Sequence, residues 1–376
     1  MLLHSSAGRY GADRQLALVA GGLDPARYRA VVVLPDEGPL ADDLRGARTE
    51  VIVEPLAVLR RELVNPRGVA GLARRVAADR TRVAELVRER DAALVHSNTS
   101  VVLGGVLAAR RASVPHVWHV REIYSSVGPW WSAYRRMLLS AAALPCVSEA
   151  ARAQFGSNPR ARVIGDGIAV TPRAAEPGER ERARGRWRLE PDHFACAVLG
   201  RLSDWKGQDV LIRALAREPL RSVKAVALIA GEPWRGDERR RALEELARAE
   251  GVAERVRFTG FVTDPASVYA ASDVVVVPST RPDPLPNAAL EAAAAGCCLV
   301  ASDHGGLPEI VTDGHSGRLF APGDHAALAR VLAELARDPS ERRRLGRAAA
   351  ADVPRRYSAG LLLDRVQGLY DELVTR

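Results

Sequence analysis

Of the 54 basic residues in this chain, only Lys206 and Lys224 are lysine; the rest are arginine. Lys206 sits in a loop of interest. An apolar stretch over 194–199 runs into Gly200, Arg201 follows, and Gly207 closes the loop before a helical pattern begins. Two cations at the carboxyl end of a parallel strand, beside a helix start, suit a diphosphate: they neutralise it while the first helix amides donate to it. A surface loop with incidental charge is the plainer reading of the same residues.

A second group lies further on. Four valines over 274–277 lead into a proline-rich loop, and a helix begins near Pro286. Proline is favoured at the first helical position, where its missing N–H would have no partner anyway. The amides of Asn287, Ala288 and Ala289 are then placed to meet an anion or sugar oxygens. Asp283 and Glu291 stand eight residues apart, and each carboxylate offers two acceptor oxygens to vicinal hydroxyls. An isolated acidic pair at this spacing is ordinarily a solvated loop and a solvated helix face, so its weight comes from order along the chain.

Other chemistries find less support. His116 and His119 look like a metal pair, but a three-residue spacing on a strand puts them on opposite faces. No D-x-D, G-x-S-x-G or C-x-x-C occurs, and no strand runs into G-x-G-x-x-G. This argues against a metal–diphosphate site, a serine hydrolase and a nicotinamide Rossmann enzyme. The four cysteines Cys146, Cys196, Cys297 and Cys298 lie in apolar runs and read as buried small hydrophobes.

These residues need elements to hold them. Short apolar runs alternate with longer helical patterns. Strands are expected over 31–34, 51–53, 93–96, 116–119 and 145–148, then again over 194–199, 225–230, 256–259, 273–277 and 298–301. Helices are expected over 13–20, 69–89, 101–112 and 131–142, then 208–216, 238–250, 287–295, 326–336 and 359–374. Strands alternating with helices imply parallel sheets covered on both faces, and two such series imply two doubly wound α/β domains. The polar, charge-dense stretch 171–192 reads as a linker with the first helix of the second domain.

With 376 residues, 47% of them hydrophobic and 27% charged, the chain has the composition of a globular protein of about two domains. The longest apolar stretches, 138–147 and 292–301, fall short of the ~20 residues a bilayer requires. The N-terminus lacks the basic and apolar regions of a signal peptide, so the expected location is cytoplasmic. A net charge of +8 invites a nucleic-acid reading, but aromatic residues make up only 5%, too few for a stacking platform. The arginine and alanine excess looks instead like the codon bias of a GC-rich genome. Segment 129–139 combines aromatics, arginines and an apolar face, as a membrane-surface helix would; core packing with a solvated edge is the commoner explanation.

In their order, the segments resemble retaining glycosyltransferases of family 4, and the resemblance covers nearly the whole chain. Gly200-Arg201 with Lys206-Gly207 is similar to that family's diphosphate-binding G-R…K-G element. Thr259-Gly260-Phe261-Val262 resembles the loop at the nucleotide base, and Asp283 with Glu291 matches E-x7-E. The segments from Asp303 to Glu309 and from Asp313 to Gly317 resemble those that follow it. In the N-terminal half, Gly11 resembles part of the glycine-rich first loop, Trp118-His119 the strand end bearing a sugar-side histidine, and Gly165 to Ile168 the linker. The departures are Asp283 for glutamate, one methylene shorter, Leu285 and Pro286 for phenylalanine and glycine, Tyr10 for a second glycine, and Asp166 for asparagine. The chain also begins unusually close to its first loop.

The resemblance implies the GT-B architecture, two Rossmann-like doubly wound domains facing across a cleft. Residues 1–170 would form the acceptor-side domain, with a C-terminal helix in 355–376 packing back on it, and 171–354 the donor domain. It further implies a metal-independent, retaining hexosyltransferase with no cofactor and a nucleotide-sugar co-substrate, a UDP-sugar first. Catalysis would fall to His119, Asp283, Arg201 and Lys206. The donor would be held by Gly11, Gly200, Arg201, Lys206, Phe261, Val262, Asp283, Asn287, Ala288, Ala289 and Glu291, with Glu291 on the ribose. Partners would be the nucleotide-sugar and a sugar, lipid-linked or small-molecule acceptor, with peripheral contact at the inner face of a membrane as an additional expectation. A pseudo-glycosyltransferase or sugar epimerase on the same fold, and a non-catalytic nucleotide-sugar-binding protein, are the rival readings. Base, donor sugar, acceptor and oligomeric state stay open at this point.

Overall fold

The computed structural model describes residues 1–60, 66–124, 128, 130–168, 177–233 and 236–375. The chain divides into two units, one of Met1–Gly167 with Ser358–Arg376, the other of Ile168–Tyr357.

In the first unit the strands are β1 (Leu2–Leu3), β2 (Val31–Leu34), β3 (Glu50–Val53), β4 (Val95–Ser97), β5 (His116–Trp118), β6 (Leu144–Cys146) and β7 (Ala161–Val163). The first five form a parallel sheet in the order β3-β2-β1-β4-β5, and β6 and β7 form a parallel pair. β1 is only two residues long yet lies at the centre, with Leu2 paired to Val32 and His96. Its brevity hides it from periodicity. Alternate residues leave the sheet on opposite sides. Leu2, Val32 and Leu34 pack with Leu16, Val19, Leu40 and Leu44, whereas Leu3, Val31, Val33 and Val95 pack with Val83, Val87 and Ala109.

The helix expected over 101–112 is shorter, Gly105–Ala112. Its missing turn is used otherwise: Leu59 donates to the Val101 carbonyl and Leu103 to that of Ala57, at 2.8 and 2.9 Å. The helix expected over 131–142 is Trp130–Leu138. Pro129, part of the segment considered for a membrane surface, lies outside the described residues. In that helix Trp131 stacks on Tyr124 and meets Phe155, and Arg135 is taken by the Gln154 and Phe155 carbonyls; Trp130 is 72% exposed. Among the described residues no helix is long and apolar enough to cross a membrane.

The last helix, Ala359–Val374, belongs to this first unit. Leu362, Val366, Leu369 and Tyr370 join its core, the 3.6-residue spacing that marks an amphipathic helix. Gly167 makes the approach possible, because a Cβ there would lie 2.9 Å from the Ala359 Cα and 3.1 Å from the Ser358 carbonyl oxygen.

The second unit contains β8 (Phe194–Leu199), β9 (Ala225–Ala230), β10 (Val256–Gly260), β11 (Val274–Val277), β12 (Cys298–Ser302) and β13 (Arg318–Phe320). All pair in parallel in the order β10-β9-β8-β11-β12-β13. Four of these strands are almost wholly apolar, as burial on both faces demands. Cys196 and Val198 enter one core with Val210, Leu211 and Leu328, and Ala195 and Ala197 enter the other with Val268 and Ala271. β13, with two of its three residues only half-buried, escapes a search for apolar runs. The four cysteines are free thiols; Cys146, Cys196 and Cys298 are buried, but Cys297 is partly exposed, contrary to the expectation for that residue.

Candidate active site

Sheet order decides where a site can form. In the second unit the chain leaves β8 toward β9 on one side and reaches β11 on the other, so the loops after β8 and β11 diverge at a topological switch point. Ligands of open α/β sheets bind at such points, outside the carboxyl ends of the strands.

The loop after β8 carries Gly200, Arg201 and Lys206. Gly200 adopts φ +144°, a conformation that side chains disfavour, and its N–H donates to the Ala230 carbonyl at 2.9 Å. Gln208, the first residue of the helix Gln208–Leu215, donates from Nε2 to the Arg201 carbonyl at 3.0 Å and so ties the loop to the helix start. Gly207, at φ +73°, lies so close to the next loop that a Cβ would overlap the Pro278 carbonyl.

The loop after β11 carries Asp283, and here the structure joins two residues that the sequence sets far apart. Lys206 Nζ donates to Asp283 Oδ2 at 2.6 Å, with the two side chains 23% and 6% exposed. The ammonium also lies over the Trp205 ring, 4.4 Å from its centroid. Ser279 Oγ donates to the same carboxylate oxygen at 3.3 Å, and the Asp283 carbonyl accepts from Gly306 at 2.8 Å. His304 Nε2 bonds the Ser279 carbonyl at 2.8 Å. Asp283 is therefore held through both its side chain and its main chain.

The helix Asn287–Ala294 begins directly after Pro286. In its first turn the Ala289 amide donates to the Pro286 carbonyl at 2.9 Å. Pro286 flanks the helix with extended backbone and its carbonyl is a near acceptor in the first turn. Glu291, buried within this helix, accepts from Tyr269 Oη at 3.0 Å. Phe261 follows β10 and is 40% exposed, while Val262 packs against the core that contains Val268.

In the first unit the corresponding switch point lies between β1 and β4. A buried polar network fills it: His4 pairs with Asp13 at 2.8 Å, Asn98 Nδ2 reaches His4 Nδ1 at 3.2 Å, and Arg121 is salt-bridged to Asp166. Gly11, expected at the donor, is the first residue of the helix Gly11–Gly22. His119 is fully buried just past β5 and stacks on His96, the rings 5.5 Å apart at 13°. His96 in turn meets the Tyr370 hydroxyl at 2.5 Å. Burial, aided by the nearby Arg121 charge, holds the His119 pKa well below the usual imidazole range, so the ring is neutral. Among the described residues neither of its nitrogens has a well-directed hydrogen-bond partner, although the Ile164 main chain lies close enough to favour the protonated form slightly. His116 faces elsewhere, bonded to Ser97 Oγ at 3.0 Å. Among the described residues no group of three His, Cys, Asp or Glu side chains is arranged to hold a metal ion.

Asp13, Asn98, Ser279, His304 and Tyr269 were not singled out from the sequence. Asn98, His304 and Tyr269 act through partners 94, 25 and 22 residues away, which no local spacing signals; Asp13 meets His4 nine residues back and Ser279 meets Asp283 only four residues on, yet neither pair forms a recognisable motif.

Two family models match, the group 1 glycosyl transferases over residues 179–352 and glycosyltransferase family 4 over residues 10–171. The chain belongs to this glycosyltransferase family. Its folded form agrees: the structure of Anabaena Alr3699/HepE, solved in complex with UDP and glucose, superposes with a TM-score of 0.84 at 25% identity over 99% of both chains. A glycosyltransferase from Rickettsia africae shares the fold, with a TM-score of 0.82 at 18% identity over 99% of this chain and 98% of that one. The two doubly wound parallel sheets are thus those of the GT-B architecture. A D-inositol 3-phosphate glycosyltransferase of Streptomyces coelicolor is 37% identical over 204 residues, 52% of this chain and 43% of that protein. The chain spans less than half the length of the curated relatives it matches.

Proposed function

We propose that this protein is a retaining glycosyltransferase that moves a sugar from a nucleoside diphosphate donor, a UDP-sugar first, to an acceptor hydroxyl. The reading rests above all on the loops after β8 and β11, which bring Lys206 and Asp283 together at the switch point of the second unit. Arg201 and Lys206 take the diphosphate, Asp283 the sugar hydroxyls, Glu291 the ribose, and Phe261 with Val262 the base. Residues 171–354 are then the donor domain and 1–170 the acceptor-side domain. Support for uracil comes from the relative solved with UDP and glucose.

The chemistry is one of position and charge. The acceptor oxygen bonds to the anomeric carbon on the face from which the diphosphate leaves, the bond from that carbon to phosphate oxygen breaks, and the acceptor proton passes to the departing phosphate. Charge grows on that phosphate, and preorganised cations stabilise it without a metal. Because Lys206 already lies against Asp283, binding of a diphosphate means that one ammonium serves both the sugar-side carboxylate and the phosphate. His119, neutral when buried, donates or accepts a single hydrogen bond to the sugar or acceptor.

Calorimetric titration with UDP, GDP, dTDP, ADP and NAD, with and without EDTA, tests the donor site. Binding of UDP, unchanged by EDTA, is the expected result; failure of all five to bind overturns it. An acceptor search then begins with UDP-glucose as donor and inositol phosphate as acceptor, the substrate named for the Streptomyces coelicolor relative.

A further inference from the structure

We infer that Tyr269 is a positioning residue for nucleotide recognition, orienting Glu291 so that its carboxylate meets the ribose hydroxyls. The inference rests on the reading of Glu291 given above. Tyr269 lies on the short helix Pro265–Ala271, which follows the loop carrying Phe261 and Val262; Glu291 lies on the helix Asn287–Ala294. Their side chains meet at 3.0 Å, Tyr269 Oη donating to Glu291 Oε2, with both residues more than nine-tenths buried.

A carboxylate without a fixed partner turns about its terminal torsion, whose preferences are broad. One charge-assisted donor held by a rigid ring removes that freedom, since a phenol has only two side-chain torsions and its hydroxyl lies in the ring plane. The carboxylate keeps acceptor capacity beyond this bond, because its two oxygens offer about four lone-pair directions. Tyr269 itself is fixed from behind. It packs into the buried face of its helix, its carbonyl accepts from Ser272 at 3.2 Å and lies 3.7 Å from Cys297 Sγ. Asp264 caps the same helix by accepting from Ala266 at 3.2 Å. The segment that would meet the base thus continues into the residue that sets the ribose carboxylate. Glu291 is then preorganised before the nucleotide arrives, and the ordering cost is not met at binding.

The test compares UDP with 2′,3′-dideoxy-UDP, which lacks the hydroxyls in question, by calorimetric titration of the full chain. The native protein is expected to prefer UDP by about tenfold or more, the range of one or two charge-assisted hydrogen bonds. Tyr269→Phe, which keeps the ring and its packing, is expected to lower UDP affinity about three- to tenfold while leaving 2′,3′-dideoxy-UDP affinity unchanged. In the Glu291→Gln background, the same substitution is expected to change the preference little further. Equal losses for both nucleotides, or no loss for either, would overturn the role of Tyr269. If Glu291→Gln itself left the preference intact, or if the native chain did not bind UDP, the reading of the donor site would fall and this inference with it. If Glu291→Gln abolished the preference while Tyr269→Phe kept it, only the inference would fall.

Discussion

Lys206 is the most informative single residue, because its charge has two claimants. Its ammonium is bonded to Asp283 in a mostly buried pair, and in the proposed function it also faces a diphosphate. Lys206→Ala removes a charge-assisted contact of about 1.5–3 kcal/mol, so UDP affinity measured by calorimetry should fall roughly ten- to a hundredfold. The same change leaves the Asp283 carboxylate buried with Ser279 as its remaining side-chain donor among the described residues, and stability should fall as well, since breaking one partner of a buried pair strands the other. Lys206→Arg would keep the charge but not the geometry: a guanidinium spreads the charge over a longer, planar group in place of the compact ammonium that lies over the Trp205 ring. The arginines elsewhere serve differently. Arg255 donates to the carbonyls of Leu215, Leu220, Val223 and Ala225, and Arg184 to those of Glu190 and His193; each guanidinium works as a staple between chain segments. This is why the basic excess of the sequence need not signal a polyanionic partner.

Two elements carry their own tests. The loops after β8 and β11 are in main-chain contact at Gly207, where a side chain meets both a positive φ and the Pro278 carbonyl. Gly207→Ala should force the loops apart, lowering the thermal midpoint and weakening UDP binding together, whereas a substitution at exposed Gly251, also at positive φ but with open space around it, should affect stability alone. Differential scanning calorimetry and titration of the two variants separate these outcomes. In the first unit, the long helix Pro66–Glu89 inserts Asp79 beneath the start of helix Gly105–Ala112. Its carboxylate accepts from the Ala57 amide at 2.8 Å, and burial pushes its pKa up to about 6. The folded state therefore favours protonated Asp79. That contribution is fully present below the ordinary carboxylate range near pH 4 and is lost as pH rises through about 6. Asp79→Asn, which keeps an acceptor for Ala57, should raise the thermal midpoint relative to the native chain at pH 8, with the difference shrinking toward pH 5.

At the scale of the whole molecule, the C-terminal helix is the element whose loss has the widest effect. Although it follows the second unit in the chain, it completes the core of the first with Leu362, Val366, Leu369 and Tyr370. Each fully buried side chain of this size contributes about 1.5–3 kcal/mol. Four together rival the whole stability of an ordinary domain, about 5–15 kcal/mol. A chain ending at Tyr357 should lose cooperative unfolding of the first unit in calorimetry. UDP binding, assigned above to the second unit, should survive, because its sheet and both its loops lie within Ile168–Tyr357. Tyr370 also reaches His96, on which His119 stacks, so the same truncation removes the support of that histidine.

Much of this molecule is legible in the residues themselves. Apolar runs such as 194–199 and 274–277 are short and bounded by turn residues, as strands buried on both faces are, and their alternation with amphipathic helices implies parallel sheets. The unusual lysine, the glycines beside it and the ordered acidic pair mark the two loops through residue type and spacing alone. What the sequence did not determine is which side chains meet. Lys206 and Asp283 lie 77 residues apart, and Tyr269 and Glu291 lie 22 apart. Their contacts depend on strand order, which places β11 beside β8, and on the packing of two separate helices. Periodicity encodes which face of an element is buried; it says nothing of which element lies next to it. That choice belongs to the tertiary structure, where every core must close at once.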